Sequence, residues 1–136
     1  MAHLTVVKAV ESRLRAGFNA CPIFVENSGT QTPDAGGDFL LVDFPFSDSR
    51  QTTIGSPDAN RYMERGTFRV VLSIVSGSGA HQGREWLDGI ATLFRGKSFD
   101  GVRTYAPQSP STDDRNDVAG FFRLVLTVPY DFSLIG

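Results

Sequence analysis

Residues 67–75, TFRVVLSIV, decide the fold. Phe68, Val70, Leu72 and Ile74 fall on one side of an extended chain, and Arg69 and Ser73 fall on the other. That two-residue alternation belongs to a half-buried strand. Two more stretches repeat it. In 39–46, FLLVDFPF, the residues Leu40, Val42, Phe44 and Phe46 share a face against Phe39, Leu41, Asp43 and Pro45. In 121–130, FFRLVLTVPY, the inward set is Phe122, Leu124, Leu126 and Val128. Three apolar faces need a cover, and two helical stretches can give it. Leu4 to Phe18 places Leu4, Val7, Val10, Leu14 and Phe18 at helical steps, and His81 to Phe94 does the same with Trp86, Ile90, Leu93 and Phe94. Gly17 and Gly96 read as their stops. Short extended stretches at Cys21–Val25 and Gly101–Tyr105 complete the order α-β-β-β-α-β-β. The expected class is α+β, a mainly antiparallel sheet with two amphipathic helices packed on one face, forming a single domain over residues 1–136.

Composition narrows the functional classes. At 136 residues the chain is long enough to bury a core without disulfides or metals. Apolar residues at 40% and charged residues at 21% exclude a disordered charged tail and a membrane protein. A net charge of -2 gives no global attraction to nucleic acid or anionic lipid. No stretch approaches the length of a membrane span, and the first ten residues lack the uninterrupted apolar run of a signal peptide. The expectation is function without export.

Catalytic patterns fail on spacing. Gly77-Ser-Gly79-Ala-His-Gln-Gly83 stands between a strand and a helix, the setting of a phosphate-cradling loop, but misses the dinucleotide spacing and lacks the P-loop lysine. A turn with glycines for tight geometry explains it. The two histidines, His3 and His81, have neither metal-ligand spacing nor a serine in a nucleophile elbow. Asp113, Asp114 and Asp117 sit in a polar stretch and read as solvated. Cys21, beside Pro22 in an apolar run, reads as buried and inert. No catalytic residue, cofactor or metal is expected.

The outer strand faces carry more. Asp43, Arg69 and Arg123 each place a charge there, so on neighbouring strands Asp43 would sit between or beside two arginines. Taken alone this is an exposed cross-strand salt bridge worth under about 1 kcal/mol. Among Phe39, Leu41, Val71, Val75, Phe121 and Val125 on the same face, it has the composition of a subunit contact. Two long polar connections, Ser47 to Gly66 and Pro107 to Gly120, read either as solvated linkers or as arms reaching towards a neighbour. The first closes with Arg61, Tyr62, Met63, Glu64 and Arg65, a mixture suited to an anchor in a partner. Candidate contact residues are therefore Asp43, Arg69, Arg123, Arg61, Tyr62 and Arg65.

The chain resembles the tail terminator family of long-tailed bacteriophages and related gene transfer agents. The match runs from about Leu4 to Phe132. It rests on the helix ending LRAGF, the segment PIFVEN at 22–27, FLLVDF at 39–44 and RGTFRV at 65–70. A Gly-Ser-Gly turn before LDGIATLF and the closing strand FFRLVLTVPY complete it. The resemblance implies a structural virion protein at the head-proximal end of the tail, made in the host cytoplasm. Six copies would form a ring on the last ring of tail tube protein, end tube growth and offer a surface for head–tail joining. Implied partners are further copies of the chain, the tube protein and a head completion or neck protein, with DNA passing through the lumen without specific binding and no membrane. Another neck or tail-completion protein, or a small monomeric adaptor, would share the size and class. No family catalytic residues carry over.

Overall fold

The computed structural model describes residues 3–25, 38–55, 57–75, 81–109, 111–112 and 121–135. Helix α1 spans Leu4–Gly17 and α2 spans His81–Phe94. The strands are β1 (Ile23–Val25), β2 (Phe39–Gln51), β3 (Arg61–Val75), β4 (Ser98–Phe99), β5 (Val102–Thr104), β6 (Ser111–Thr112) and β7 (Phe121–Ile135). They form one sheet in the order β1-β2-β3-β7-β5-β4, with β6 also paired to β7. Every pairing is antiparallel except β1 with β2. The α+β class is confirmed, and the three apolar stretches are the central neighbours β2, β3 and β7.

The even-numbered residues of β3 and β7 face the helices. Phe68, Val70, Leu72, Leu124, Leu126 and Val128 are fully buried there, in one core with Val6, Val10 and Leu14 of α1 and Leu87, Ile90 and Phe94 of α2. Phe68 lies at its centre, with Phe94 edge-on at 5.0 Å and the rings of Phe44 and Tyr130 at 5.8 and 6.2 Å. The stripe on α1 is rotated from the one expected. Val6 is buried and Leu4 is exposed, because two residues along a helix turn the side chain through about 200°. On α2, Leu87 and Ala91 join Ile90 and Phe94 inside, while Trp86 and Leu93 flank the core half-buried. Phe18, just past α1, meets Trp86 edge-on at 5.9 Å and joins the two helices.

Three local devices shape the sheet. Between Asp43↔Arg69 and Phe46↔Thr67 the register shifts, so Phe44 and Pro45 together oppose Phe68. A proline cannot donate to a ladder, and a bulge accommodates it. Beyond the bulge the alternation on β2 inverts. Phe46 therefore turns to the outer face and is 60% exposed, which corrects its expected place in the core. Gly66 makes the bulge possible, since a Cβ there would lie 2.3 Å from the Phe46 carbonyl oxygen. Finally, Asp100 and Gly101 join β4 to β5 with φ of 49° and 84°, the two positive values that a two-residue hairpin turn requires.

The connection expected over Ser47–Gly66 is mostly strand. Its ends form the lower half of the β2–β3 hairpin, paired from Phe46↔Thr67 to Gln51↔Tyr62. An apolar pattern does not mark this ladder, because both of its faces carry polar side chains. In Pro107–Gly120, residues 111–112 pair with β7, while 113–120 lie outside the described residues. The glycine turn at 76–80 also lies outside them, and α2 begins at His81.

Gly89 lies mid-helix in α2, exposed, with nothing within 4 Å of an added Cβ. Gly89→Ala should stabilise the fold by about 0.5–1 kcal/mol, read as a higher urea midpoint with an unchanged slope.

Candidate assembly interface

The outer face of the sheet is built in rungs, each fixed by strand register. The upper rung sets Leu41, Val71 and Val125 side by side, all half-buried. The next sets Asp43 against Arg69, with Thr127 beyond. Arg69 grips Asp43 with two parallel bonds, Nε to Oδ1 at 2.9 Å and Nη2 to Oδ2 at 2.5 Å. Below the bulge, one rung runs across four strands as Asp48, Arg65, Asp131 and Arg103. Signs alternate along it, yet the pairs that form skip Arg65. Asp48 takes the Arg50 guanidinium at 3.2 Å. Asp131, its side chain only 6% exposed, takes both nitrogens of Arg103 at 3.1 and 3.3 Å and the Tyr105 hydroxyl. That bond to Asp131, more than burial, holds the Tyr105 phenol above its ordinary pKa. Arg61 and Arg65, both exposed, make no side-chain hydrogen bond or ion pair among the described residues.

Between these charges lies a shallow apolar floor. Phe46, Asp48, Arg50, Thr52, Met63 and Arg65 line a depression of about 330 Å³. Ile54, at the end of the hairpin, is 87% exposed. An exposed Phe and Ile beside arginines is a surface with partner-binding chemistry.

The opposite face of the same hairpin is tied to the core. Glu64 is 5% exposed and accepts from the Tyr130 hydroxyl at 2.7 Å and from the His3 backbone N–H at 3.0 Å. The His3 ring stacks on Phe132 at 5.4 Å, and its Nδ1 accepts from the Thr5 N–H to cap α1. Glu64 thereby seats the start of α1 on β3 and β7. Burial, then the bond to Glu64, pushes the Tyr130 phenol above its ordinary value of 10.0. The protonated phenol is thus favoured by folding. Its contribution is complete below about pH 10 and is lost as pH rises above that. Tyr130→Phe should start about 1–2 kcal/mol less stable at neutral pH. Its urea midpoint should then fall less steeply than that of the wild type between about pH 9.5 and 11.5.

The six contact candidates do not form one site. Asp43 and Arg69 meet as expected. Arg123 lies opposite Ser73, four residues along β7 from the Thr127 that faces Arg69, or roughly 13 Å. Asp43 is therefore beside one arginine, not two. Arg61 and Arg65 share the outer face, whereas Tyr62 points to the inner one, opposite Gln51 and Leu134. Because Arg69 is engaged within the chain, reversing its charge would disturb the fold as well as any contact. Sequence reasoning missed the meeting of Arg103 and Tyr105 with Asp131, which lies 28 and 26 positions further along the chain and is brought to them by the β5–β7 register. It also missed Phe46, whose exposure Pro45 could have signalled. Cys21 is half-buried, and burial with the nearby Asp38 pushes its thiol up to about 11, so it stays protonated and unreactive at neutral pH. Among the described residues no three His, Cys, Asp or Glu side chains gather to hold a metal, and no helix is long and apolar enough to cross a membrane.

Comparison with known proteins supplies the context. No curated protein matches the chain. One solved structure, 21% identical, superimposes with a TM-score of 0.64 over 97% of this chain and 96% of that one, which shows a shared fold. The model of one family, described as phage tail terminator protein, matches residues 5–130. That span takes in α1, the bulged hairpin and β7 to Tyr130, so the chain belongs to the phage tail terminator family, with the structural role of a tail-completion component of the virion.

Proposed function

We propose that the chain, acting as one domain over residues 1–136, caps the tail tube as a homo-hexameric ring. The ring ends tube polymerisation at the head-proximal end and offers the surface on which the head is joined. Its partners are copies of itself, the tube protein and a head completion or neck protein, and DNA passes through the lumen without specific binding. The family match supports the tail-completion role. The observation that carries the assembly reading is the lower half of the β2–β3 hairpin, whose outer face combines exposed Phe46 with Arg61 and Arg65, and whose connecting segment exposes Ile54. Solvated linkers do not hold such side chains on a ladder that β3 shares with both β2 and β7. Asp43, Arg69, Arg123, Arg61, Tyr62 and Arg65 are proposed as contact residues, on two faces of the sheet and hairpin rather than in one patch.

Native mass spectrometry across a wide concentration range, with negative-stain images of the largest species, tests this. A sixfold ring, alone or on added tube ends, is the expected result. A chain that stays monomeric in both conditions fits a small adaptor and would falsify the ring.

A further inference from the structure

The β2–β3 hairpin carries two unlike patches at different heights. Its ladder ends where the Thr52 N–H donates to the Arg61 carbonyl at 2.7 Å and the Thr53 hydroxyl accepts from the Arg61 N–H, also at 2.7 Å. Beyond that rung Ile54 is 87% exposed, and Asp58 is exposed with a φ of 65°. Asp58 is the only charged residue from Gln51 to Asn60. Its carboxylate makes no hydrogen bond or ion pair among the described residues. Further up the outer face lies the depression of about 330 Å³, where Phe46 is exposed and Met63 half-buried. The three rungs beside it, Thr52–Arg61, Arg50–Met63 and Asp48–Arg65, hold three arginines against one aspartate. Asp48 takes Arg50, which leaves Arg61 and Arg65 without ion-pair partners among the described residues.

The two patches complement each other. One offers an apolar knob beside a carboxylate, and the other an apolar floor beside two guanidinium groups. They do not meet within the chain, where Ile54 stays exposed. Eight residues along the chain separate Ile54 from Phe46, a span of up to about 26 Å. Each copy can therefore present its turn to one neighbour and its floor to another.

We infer that the hairpin turn of one copy docks on the hairpin of the next, with Ile54 seated on the Phe46–Met63 floor and Asp58 facing Arg61 and Arg65. A second copy is the occupant because one chain holds both halves, opposite in charge and each with apolar surface to cover. Two different patches in one contact make it head-to-tail, which propagates around an axis and closes into a ring when the rotation allows. The inference rests on the ring reading and adds to it which surfaces meet. Removing the isoleucine from water drives the contact, and the planar fork of arginine suits the carboxylate.

Truncation and cross-linking test it. Ile54→Ser should raise the concentration needed for self-association by about tenfold or more. The side chain is exposed, so this variant should melt within about 2 °C of the wild type. Asp58→Asn keeps a residue that tolerates the positive φ, and should weaken assembly less while flattening its salt dependence. For the geometry, Ile54→Cys and Met63→Cys are combined in one chain, with Cys21→Ala removing the native thiol. Oxidation with diamide joins only thiols whose Cα atoms come within about 7 Å. It should give a covalent ladder of up to six copies, and either cysteine alone should give none. Assembly of Ile54→Ser at the wild-type concentration, or assembled rings that do not cross-link, overturn the docking and leave the ring standing. Cross-linking that stops at dimers means that two hairpins pair reciprocally, which overturns the head-to-tail contact. If Ile54→Ser forms rings normally but no longer binds tube ends, the occupant is the tube protein and the docking is equally overturned. A wild-type chain monomeric under all conditions removes the ring and the docking together.

Discussion

Phe68→Ala should lower the unfolding free energy by about 3–5 kcal/mol, a drop in melting temperature of roughly 12–20 °C. Phe68 is fully buried and touches both layers of the molecule. Phe94 of α2 meets it edge-on, and Phe44 and Tyr130 pack on it from the flanking strands. Truncation leaves a void bounded by these three aromatic rings, which are held by α2 and the flanking strands. The position also lies opposite the bulge, where Phe44 and Pro45 share it as a partner. Thermal unfolding followed by circular dichroism gives the value. A loss below about 1 kcal/mol would mean that Phe68 is not the centre of the core.

The second large effect comes from adding one methyl group. Gly66→Ala should cost about 3 kcal/mol, because its Cβ would lie 2.3 Å from the Phe46 carbonyl oxygen and 2.9 Å from the Ser47 Cα. Both obstacles are backbone, so no rotamer change relieves them. Gly17 is an instructive contrast. There the nearest atom is the Leu93 Cδ2 at 2.5 Å, the tip of a half-buried side chain that can swing away. Gly17→Ala should therefore cost well under the Gly66 value, and urea unfolding of both variants in parallel checks the order. Loss of the bulge in Gly66→Ala would also return Phe46 to the inner face. Protection of the Phe46 and Ser47 amides from hydrogen exchange would report that change directly.

The layered fold was legible because burial and periodicity coincide in it. TFRVVLSIV buries one face completely and FFRLVLTVPY does so from Leu124 to Tyr130, so the two-residue period is written in the residue types. The extent of the strands was not legible. From Phe46 to Gln51 and from Arg61 to Thr67, both faces of the ladder carry polar side chains, and a paired strand then looks like a loop. The bulge was legible in principle, since Pro45 sits within an otherwise apolar alternation and Gly66 lies opposite it across the hairpin. The positions of the contact candidates were legible only in part. Alternation placed Asp43 and Arg69 on one face, but it carries no information on which rung a residue occupies. Arg123 therefore lay at the right depth and the wrong height. The clusters around Asp131 and Glu64 join residues 26 to 66 positions apart. No local pattern encodes such a meeting.

The rims of the sheet have a consequence for how a concentrated solution behaves. One rim is β1, three residues long, and the other is β4, two residues long, ended by the tight turn at Asp100 and Gly101. The longer stretch of β2 beyond β1, which on that side has no strand partner among the described residues, carries Pro45, Asp48 and Arg50. Backbone templates this short or this interrupted by charge and proline are poor seeds for run-on cross-β stacking. Among the described residues, polymer growth by strand addition is thereby left with little starting edge.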